Sequence, residues 1–275
     1  MALVIQTNVA SLEAQRNLYK SQSALQTTFN KLSSGYRINT AKDDAAGLAI
    51  SESLKSQVKT LTVNERNAGD AISMSQTAEG ALGEISNIVL RMRELSAQAS
   101  NGSLQSADRN FIQTEFSNLQ AETQRIMTST KFNGKQLITS GSRTDGFQVG
   151  INNTADDRIS ITFGGLDLAT VTSTATKVSG SAGNARASLD TLDTALKTVS
   201  TARARFGAAI NRLEITTSNI QTARLNVSAA NSRIRDVDIA DETASLSKNQ
   251  VLTQAATSVL SQANSSPQSA LSLIR

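Results

Sequence analysis

The stretch LDTLDTALKTVSTARARFGAAINRLEITTSNIQTARLNVSAANSRI, residues 189–234, repeats apolar residues at intervals of three and four. The positions in phase are Leu189, Leu192, Leu196, Val199, Arg203, Phe206, Ile210, Leu213, Thr217, Ile220, Arg224, Val227, Asn231 and Ile234. A heptad pattern sustained this far predicts a coiled-coil helix rather than a short helix of a compact domain. At about 1.5 Å per residue this helix is about 70 Å long, so its partners must be elongated as well.

The first half of the chain contains two stretches that fit such partners. One runs from Ala71 to Ala99, and the Asn101-Gly102 dipeptide that follows is a helix-end signal. Its positions in phase are Ala71, Met74, Ala78, Ala81, Ile85, Ile88, Met92, Leu95 and Ala99. A shorter helix is predicted over residues 112–126. Small alanines at the seam let helices approach closely, so several long helices packed lengthwise are expected.

Each end of the chain carries a shorter amphipathic stripe. Leu18, Leu25 and Leu32 are spaced by seven. Phe29 falls on the same face, which predicts a helix over residues 3–33. A matching stripe near the C-terminus comprises Leu252, Ala256, Val259 and Ala263. Because the two ends mirror each other, the terminal helices are expected to pair.

The breaks beside these terminal helices are polar. Gly35 is expected to end the N-terminal helix, and Thr40 with Asp43 has the spacing of a capping box for the next one. Asp43 and Asp44 have the chemistry of a metal or acid–base pair, but consecutive helix positions do not face each other, so we favour capping. Residues 233–242 concentrate acids without EF-hand spacing, which favours ion pairs over calcium.

Three polar residues, Arg203, Arg224 and Asn231, occupy seam positions where apolar residues are expected. Polar seam residues set register between helices or subunits. Long side chains also extend to solvent from a seam that is locally exposed. The sequence leaves both interpretations open.

Between the helical halves the period changes to two. The segments FQVGI (147–151) and RISITF (158–163) alternate apolar residues on either side of the turn-rich NNTADD, which predicts a β-hairpin. Ser, Thr and Gly dominate the flanks TSGSRTDG and TATKVSGSAGNA, which predicts linkers there.

These patterns predict an all-α dominated fold, an elongated antiparallel helical bundle or coiled coil with one small β-hairpin, whose N- and C-terminal helices pair. Residues 1–40 with 236–275 are assigned to a terminal coiled-coil domain. Residues 41–139 with 184–235 are assigned to a long helical bundle domain. Residues 140–183 hold the hairpin and linkers, without a large outer domain.

Composition excludes most enzyme classes. The chain contains no Cys and no His, so thiolate and imidazole ligands and the usual catalytic triads are absent. Aromatic residues are only 3%, so large apolar side chains must be placed economically. We therefore expect a protein without catalytic activity, cofactor or metal.

Charge and hydropathy limit the classes of partner that the chain is expected to bind. The net charge is +4, but Arg and Lys are scattered rather than clustered with aromatics, so nucleic-acid binding is not expected. No stretch approaches the about 20 apolar residues of a membrane span, and the N-terminus lacks a basic, apolar signal sequence. Membrane insertion and a cleaved signal peptide are not expected.

Seven motifs, in order along the chain, resemble those of bacterial flagellin, the subunit of the flagellar filament. They are LSSGYRINTAKDDAAGLAI (32–50), RNAGDAISMSQTAEGALGEI (66–85), RMRELSAQASNG (91–102), KFNGKQLI (131–138), GAAINRLE (207–214), SRIRDVDIADE (232–242) and VLTQAATSVLSQANSSPQSALSLIR (251–275). Many flagellins carry large outer domains in the middle, whereas this chain has only the hairpin region, so it resembles a minimal flagellin.

The resemblance implies a structural protein that polymerises head-to-tail into the extracellular filament used for swimming. Similar proteins line the filament channel with the terminal helices and surround it with the longer helices. They leave the cell through type III export without a cleaved signal. The implied partners are the chain itself, hook-associated junction and cap proteins, and an export chaperone at the C-terminus. A hook–filament junction protein of the same superfamily is the alternative.

Subunit packing is assigned to the apolar side chains of the two terminal stripes. The residues are Leu18, Leu25, Phe29, Leu32, Leu252, Val259, Leu271, Leu273 and Ile274. We expect the last three to meet the N-terminal stripe and neighbouring subunits near the channel.

A second hypothesis also comes from the resemblance. Flagellins that activate the vertebrate Toll-like flagellin receptor contact it through an Arg, a Leu and a Glu. Matching residues stand here as Arg91, Leu95 and Glu115. Heptad packing of Leu95 and solvation of the two charged residues is the simpler alternative.

Overall fold

Helices dominate the computed structural model, which describes residues 7–272 and side chains as far as residue 266. The elements are α1 (Val9–Ser34), α2 (Ala45–Ala99), α3 (Ser106–Ser129), β1 (Lys131–Phe132), β2 (Lys135–Gln136), β3 (Ser142–Gln148), β4 (Arg158–Gly164), α4 (Ala169–Thr172), α5 (Ala182–Arg235) and α6 (Ile239–Ser272). The predicted fold class is confirmed. Two compact units are present: a terminal unit, Met1–Val58 with Asn226–Arg275, and a central unit, Lys59–Leu225.

The predicted heptad of α5 is largely confirmed in the central unit. Five positions spaced by seven are buried: Leu192, Val199, Phe206, Leu213 and Ile220. Ala195 and Ala202 fill alternate buried positions. The predicted Leu196 and Arg203 lie one residue further round the helix, and Arg203 is exposed. The seam assignment of Arg203 is therefore wrong. The buried seam residue is its neighbour Ala202, whose small side chain lets the helices approach closely.

Polar pairs join α2 to α5 along the central unit. Arg93 meets Asp193 at 2.5 Å and Arg203 meets Glu79 at 2.7 Å. Farther along, Arg224 meets Glu65 at 2.9 Å. Residue numbers rise on one helix as they fall on the other, so the two helices run antiparallel here. The charged groups of Arg203 and Arg224 therefore lie at the rim of the seam, each paired with a glutamate of α2.

The predicted β-hairpin forms between β3 and β4, with Phe147 opposite Ile159. Its inward side chains on β4 are Ile159, Ile161 and Phe163, all buried. The Phe163 ring stacks at a tilt on Phe206 of α5, with centroids 5.5 Å apart. The first strand starts at Ser142, inside a segment predicted as linker, because the pairing continues to Ser142↔Gly164.

A second, smaller hairpin was not predicted. Phe132 pairs with Lys135 across an Asn133-Gly134 turn, in which both φ angles are positive, 46° and 76°. Asn-Gly favours the tight turn that matches the twist of antiparallel strands. The signal therefore stood in KFNGKQ and was missed.

The segment after β4 is not a free linker, contrary to expectation. The buried Gln120 of α3 donates Nε2 hydrogen bonds to three carbonyl oxygens, those of Val171, Ser173 and Thr176. Two turns earlier on the same face, Gln113 Oε1 accepts from the backbone nitrogen of Val178 at 2.7 Å. These amides fix the main chain of a segment whose Leu166, Leu168, Val171 and Val178 are fully buried.

The terminal helices of the terminal unit pair antiparallel, as predicted. Asn8 donates to the Ala263 carbonyl at 2.8 Å, and Ser11 donates to Asn264 Oδ1 at 2.7 Å. The described part of α1 begins after Asn8, whose side chain accepts from the Ser11 nitrogen. As predicted, α1 ends at Gly35, which adopts the left-handed conformation with φ 73°.

The breaks beside these helices are joined by backbone contacts. Tyr36 and Asp236 form an isolated antiparallel bridge. Helix α2 starts at Ala45, where Asp44 Oδ1 accepts from the Gly47 nitrogen at 2.9 Å. The N-cap is therefore Asp44, and the predicted capping box with Thr40 is wrong, because Asp43 binds Thr40 within the preceding turn.

Candidate functional site

The α1–α6 pair buries small or polar side chains. The buried residues of α1 are Ser11, Ala14 and Thr28. Thr28 also receives a long hydrogen bond from Asn249 Nδ2, at 3.5 Å. Such residues allow close helix approach but remove little apolar area from water, so the pair leaves its large side chains outside.

Those large side chains form an exposed apolar set on both helices. Its members are Val9, Leu12, Tyr19 and Phe29 on α1, and Val251, Leu252 and Val259 on α6. Phe29 is 60% exposed and Val259 is 58% exposed. A concentration of large apolar residues in water indicates a surface that is covered in an assembly. We call this set the terminal apolar face.

Six predicted packing residues lie among the described side chains. Leu18, Leu25 and Leu32 are half-buried along the pair. Phe29 is exposed, and its placement on the same face as the leucines stays a prediction, since it lies four residues after Leu25 and three before Leu32. Leu252 and Val259 are exposed. The side chains of Leu271, Leu273 and Ile274 lie outside the described residues.

Further exposed residues of this surface also follow a heptad spacing in the sequence. Leu12 and Tyr19 are spaced by seven on α1, one heptad stripe that runs beside the leucines. On α6, Val251 stands next to Leu252 and is 64% exposed. Periodicity finds such residues but does not tell which of two adjacent stripes faces the partner helix.

A shallow groove of about 240 Å³ crosses the pair. Its walls are Ala14, Asn17, Ser21, Leu252, Ala255, Ala256 and Val259. Alanine and serine leave room there, while Leu252 and Val259 supply apolar rims. Leu252 and Val259 belong both to this groove and to the terminal apolar face.

The second candidate cluster lies on α2 and α3 of the central unit. Arg91 binds Glu115 at 2.9 Å and Glu94 at 3.0 Å, and all three side chains are about half exposed. The hydrogen bonds that Arg91 donates to Glu94, and then to Glu115, raise the pKa of Arg91 above its usual value. Leu95 is only 2% exposed and belongs to the buried stripe of α2. The structure thus brings Arg91 and Glu115 together at the surface and Leu95 beneath it.

The acidic residues near the breaks serve as hydrogen-bond acceptors. The backbone and side chain of Thr40 lower the pKa of Asp43, with a further contribution from the Asn39 nitrogen. Asp238 Oδ1 accepts from the Ala240 nitrogen at 2.9 Å, at the start of α6. Within residues 7–272, no group of three acidic, Cys or His residues is arranged to hold a metal ion.

Among the helices of residues 7–272, none is both long enough and apolar enough to cross a membrane.

Comparison with known proteins covers both ends of the chain. The model of the bacterial flagellin N-terminal helical region matches residues 5–144, and that of the C-terminal helical region matches residues 189–274. A flagellin of Halalkalibacterium halodurans is 41% identical over 274 residues, covering 99% of this chain and 100% of that protein. Flagellin FlaB1 of Treponema pallidum is 40% identical over 293 residues, again covering 99% of this chain and 100% of the relative.

Solved structures give the same result for the fold. Bacillus cereus flagellin is 32% identical, with a TM-score of 0.50 over 60% of this chain and 94% of that one. A structure described as a flagellar hook-associated protein of Vibrio parahaemolyticus has a TM-score of 0.60 over 70% of this chain and 100% of that one. At 15% identity, the second likeness concerns the fold alone.

Proposed function

Because the chain belongs to the bacterial flagellin family, we propose that the terminal apolar face carries its contacts with neighbouring subunits. Members of this family are structural proteins. The chain is an extracellular subunit of the flagellar filament. It polymerises with further copies of itself, and the polymer neighbours hook-associated proteins.

The observation that carries the proposal is the exposure of Phe29, Leu252 and Val259 on a helix pair whose own interface is small and polar. Burying apolar surface stabilises an assembly by about 25 cal/mol per Å². A pair that cannot bury these side chains alone gains that free energy only when another chain covers them.

We extend the proposal to the places that the domains assigned from the sequence take in the polymer. Residues 1–40 with 236–275, including the assigned Leu271, Leu273 and Ile274, line the channel of the polymer. Residues 41–139 with 184–235 form the surrounding tube, and residues 140–183 add no large outer domain. Head-to-tail contacts about an open helical axis produce a filament rather than a ring.

A double substitution, Phe29→Ser with Val259→Ser, tests the role of the terminal apolar face. Purified monomer is added to sonicated filament seeds, and growth is followed by sedimentation and electron microscopy. Loss of elongation is expected, with unchanged helix content in the monomer by circular dichroism. Ile151→Ser in the β3–β4 turn, which is also an exposed apolar residue, is the matched control and should elongate.

Normal elongation by the double variant would overturn the proposed contact surface. Unaltered chain that binds seeds without elongating them would instead indicate the junction-protein alternative. The two failures are distinguishable because only the second affects the unaltered chain.

The Arg91–Glu115 pair supports a further proposal, that the chain binds the vertebrate Toll-like flagellin receptor through Arg91 and Glu115. The paired charges are half exposed and held between two helices, so they form a fixed polar feature. Leu95, assigned as a third contact, is buried and shapes this surface from below.

Receptor-expressing reporter cells treated with purified monomer test this pair. Arg91→Ala is expected to lower the signal by an order of magnitude or more. Arg125→Ala is the matched control, because Arg125 also forms an exposed pair with a glutamate on α3, Glu122. Equal signals from both variants would overturn the proposal.

The export chaperone is proposed to bind the apolar side of α6 before assembly. Co-purification of the chaperone with chain carrying Val251→Ser and Leu252→Ser tests this binding. Reduced recovery is expected, whereas recovery equal to that with unaltered chain would exclude this side of α6. No catalytic role is proposed for any residue.

A further inference from the structure

We infer that Asn101 is a site of spontaneous deamidation through a succinimide, and that the fold directs this modification to Asn101 and away from Asn133. The chain contains two Asn-Gly pairs, Asn101-Gly102 and Asn133-Gly134. Glycine has no Cβ to shield its backbone nitrogen from the preceding asparagine side chain. The two pairs have the same intrinsic chemistry, so the structure around them must determine which one reacts.

The Asn101 side chain is positioned for the reaction. It is exposed in the loop between α2 and α3, and its Oδ1 accepts a hydrogen bond from the Ser103 nitrogen at 3.2 Å. This bond folds the side-chain amide back over the Gly102 peptide and draws electron density from Cγ. A Cβ added at Gly102 would meet nothing within 4 Å apart from its own chain neighbours, so the rest of the fold does not crowd this glycine.

Asn133 is also exposed but differs from Asn101 in its main-chain conformation. It occupies the tight β1–β2 turn with φ 46°, followed by Gly134 with φ 76°. The pair Phe132↔Lys135 closes the turn directly beside it. Ring closure requires rotation of the asparagine main chain out of the left-handed region, which would break this pairing. The hairpin therefore protects Asn133.

The reaction needs no partner except water. The Gly102 nitrogen loses its proton and attacks Asn101 Cγ. The bond from Cγ to Nδ2 breaks, and ammonia leaves as the five-membered succinimide forms. Water then opens either ring carbonyl, leaving aspartate or isoaspartate at position 101. One water is consumed, one ammonia is released, and nothing is oxidised or reduced.

Arg109 gives the product a structural consequence. Its guanidinium is buried and donates to the carbonyl oxygens of Ala99 and Asn101, each at 2.9 Å. In isoaspartate the former Asn101 carbonyl becomes a free carboxylate, while the chain continues through the former side chain. The buried cation then gains a charged acceptor, and charge-assisted hydrogen bonds are stronger than neutral ones. We expect the isoaspartyl form to stay folded.

Peptide mass mapping of full-length monomer aged in mildly alkaline buffer tests the inference. The mass increase from amide to acid should accumulate several-fold faster at position 101 than at 133. In urea the two rates should converge, because only the fold distinguishes them. Equal rates in native protein, or a discrimination that persists in urea, would overturn the proposal.

Two variants test the route. Gly102→Ala fits the open space around Gly102, whose φ is not positive, and should slow conversion at 101 several-fold while leaving 133 unchanged. Conversion of this variant at the unaltered rate would exclude the succinimide. Asn101→Gln should remove the mass increase from this peptide, and an increase that persists there would place the reaction at another residue.

Discussion

The α1–α6 pair and the core of the central unit come from similar heptad-patterned sequence, yet they bury different side chains. The central unit encloses Phe116, Phe163 and Leu82 completely. On α1 of the terminal pair the buried residues are Ser11, Ala14 and Thr28. Heptad spacing makes a helix and gives it a face, but the size of the inward residues determines whether one chain can complete the core. The central unit encloses large apolar side chains completely, whereas the terminal pair leaves Phe29 and Val259 mostly exposed.

Phenylalanine truncation in the two regions gives the sharpest contrast. Phe116→Ala should lower the free energy of unfolding by about 3–5 kcal/mol, because the side chain is fully buried. Phe29→Ala should change it by less than about 0.5 kcal/mol, since most of that side chain already meets water. Urea unfolding of the two monomers, followed by circular dichroism, measures both values. Similar losses would remove the distinction between the regions.

The glutamine clamp extends the comparison to polar groups in the central unit. Gln120→Ala leaves three carbonyl oxygens without their donor and should cost about 1–3 kcal/mol. Gln124→Ala, at an exposed position of the same helix, is the matched control and should be close to neutral. Thermal unfolding of the two variants checks this, and an equal effect would show that the clamp contributes nothing.

The ion pairs between α2 and α5 should contribute less. Arg203 and Glu79 are 44% and 34% exposed, so solvent screens their attraction and the coupling should be about 0.2–1 kcal/mol. A double-mutant cycle with Arg203→Met and Glu79→Gln measures it, and added salt should reduce it. A coupling that is large and independent of salt would mean that the pair is effectively buried.

The smallest expected effect depends on pH and concerns the terminal unit. Hydrogen bonds from Thr40 lower the pKa of Asp43, so its ionised form favours the folded state above the ordinary carboxyl pKa. This contribution should be lost as pH falls through the lowered folded pKa. Unfolding of Asp43→Asn and unaltered chain between about pH 6 and about pH 2 measures it. The stability difference should shrink at acid pH, and a constant difference would contradict this sign.

Much of the helical architecture followed from periodicity. The seven-residue spacing of Leu192, Val199 and Phe206 predicted α5. Most of the buried stripe of α2 was predicted in the same way, but Leu82 and Val89 are buried where Ala81 and Ile88 were assigned. The seam positions of α5 that lie between these seven-residue repeats were assigned less well. Alanine occupies them, and alanine contributes little to a hydrophobic pattern even where it sets the distance between helices. Ala202 is buried, and its neighbour Arg203 was assigned in its place.

The local signals were mixed. Asn133-Gly134 carried a turn signal that was overlooked, and Asp44 rather than Thr40 caps α2. Capping residues compete within one short polar segment, and only the main-chain conformation determines which carboxylate reaches the helix nitrogens.

The candidate sites depended more on tertiary structure. The sequence identified Phe29 and Val259 as apolar residues of terminal helices, but the extent of their exposure depends on how closely the small residues bring α1 and α6 together. Arg91 and Glu115 lie 24 residues apart on different helices, so no spacing rule pairs them. The resemblance to a family supplied that pair, and the structure shows the ion pair itself.

The β3–β4 turn has a practical consequence for protein engineering. Residues 151–156 are all exposed, while the Val149 and Gly150 nitrogens both donate to the Asp157 carbonyl at 2.9 Å and close the ladder below. A peptide inserted between residues 153 and 154 would lengthen a loop whose closure cost grows only slowly with length. The turn is thus a natural place to graft an epitope or label, because the backbone pairing of the two strands ends below it, at Gln148↔Arg158.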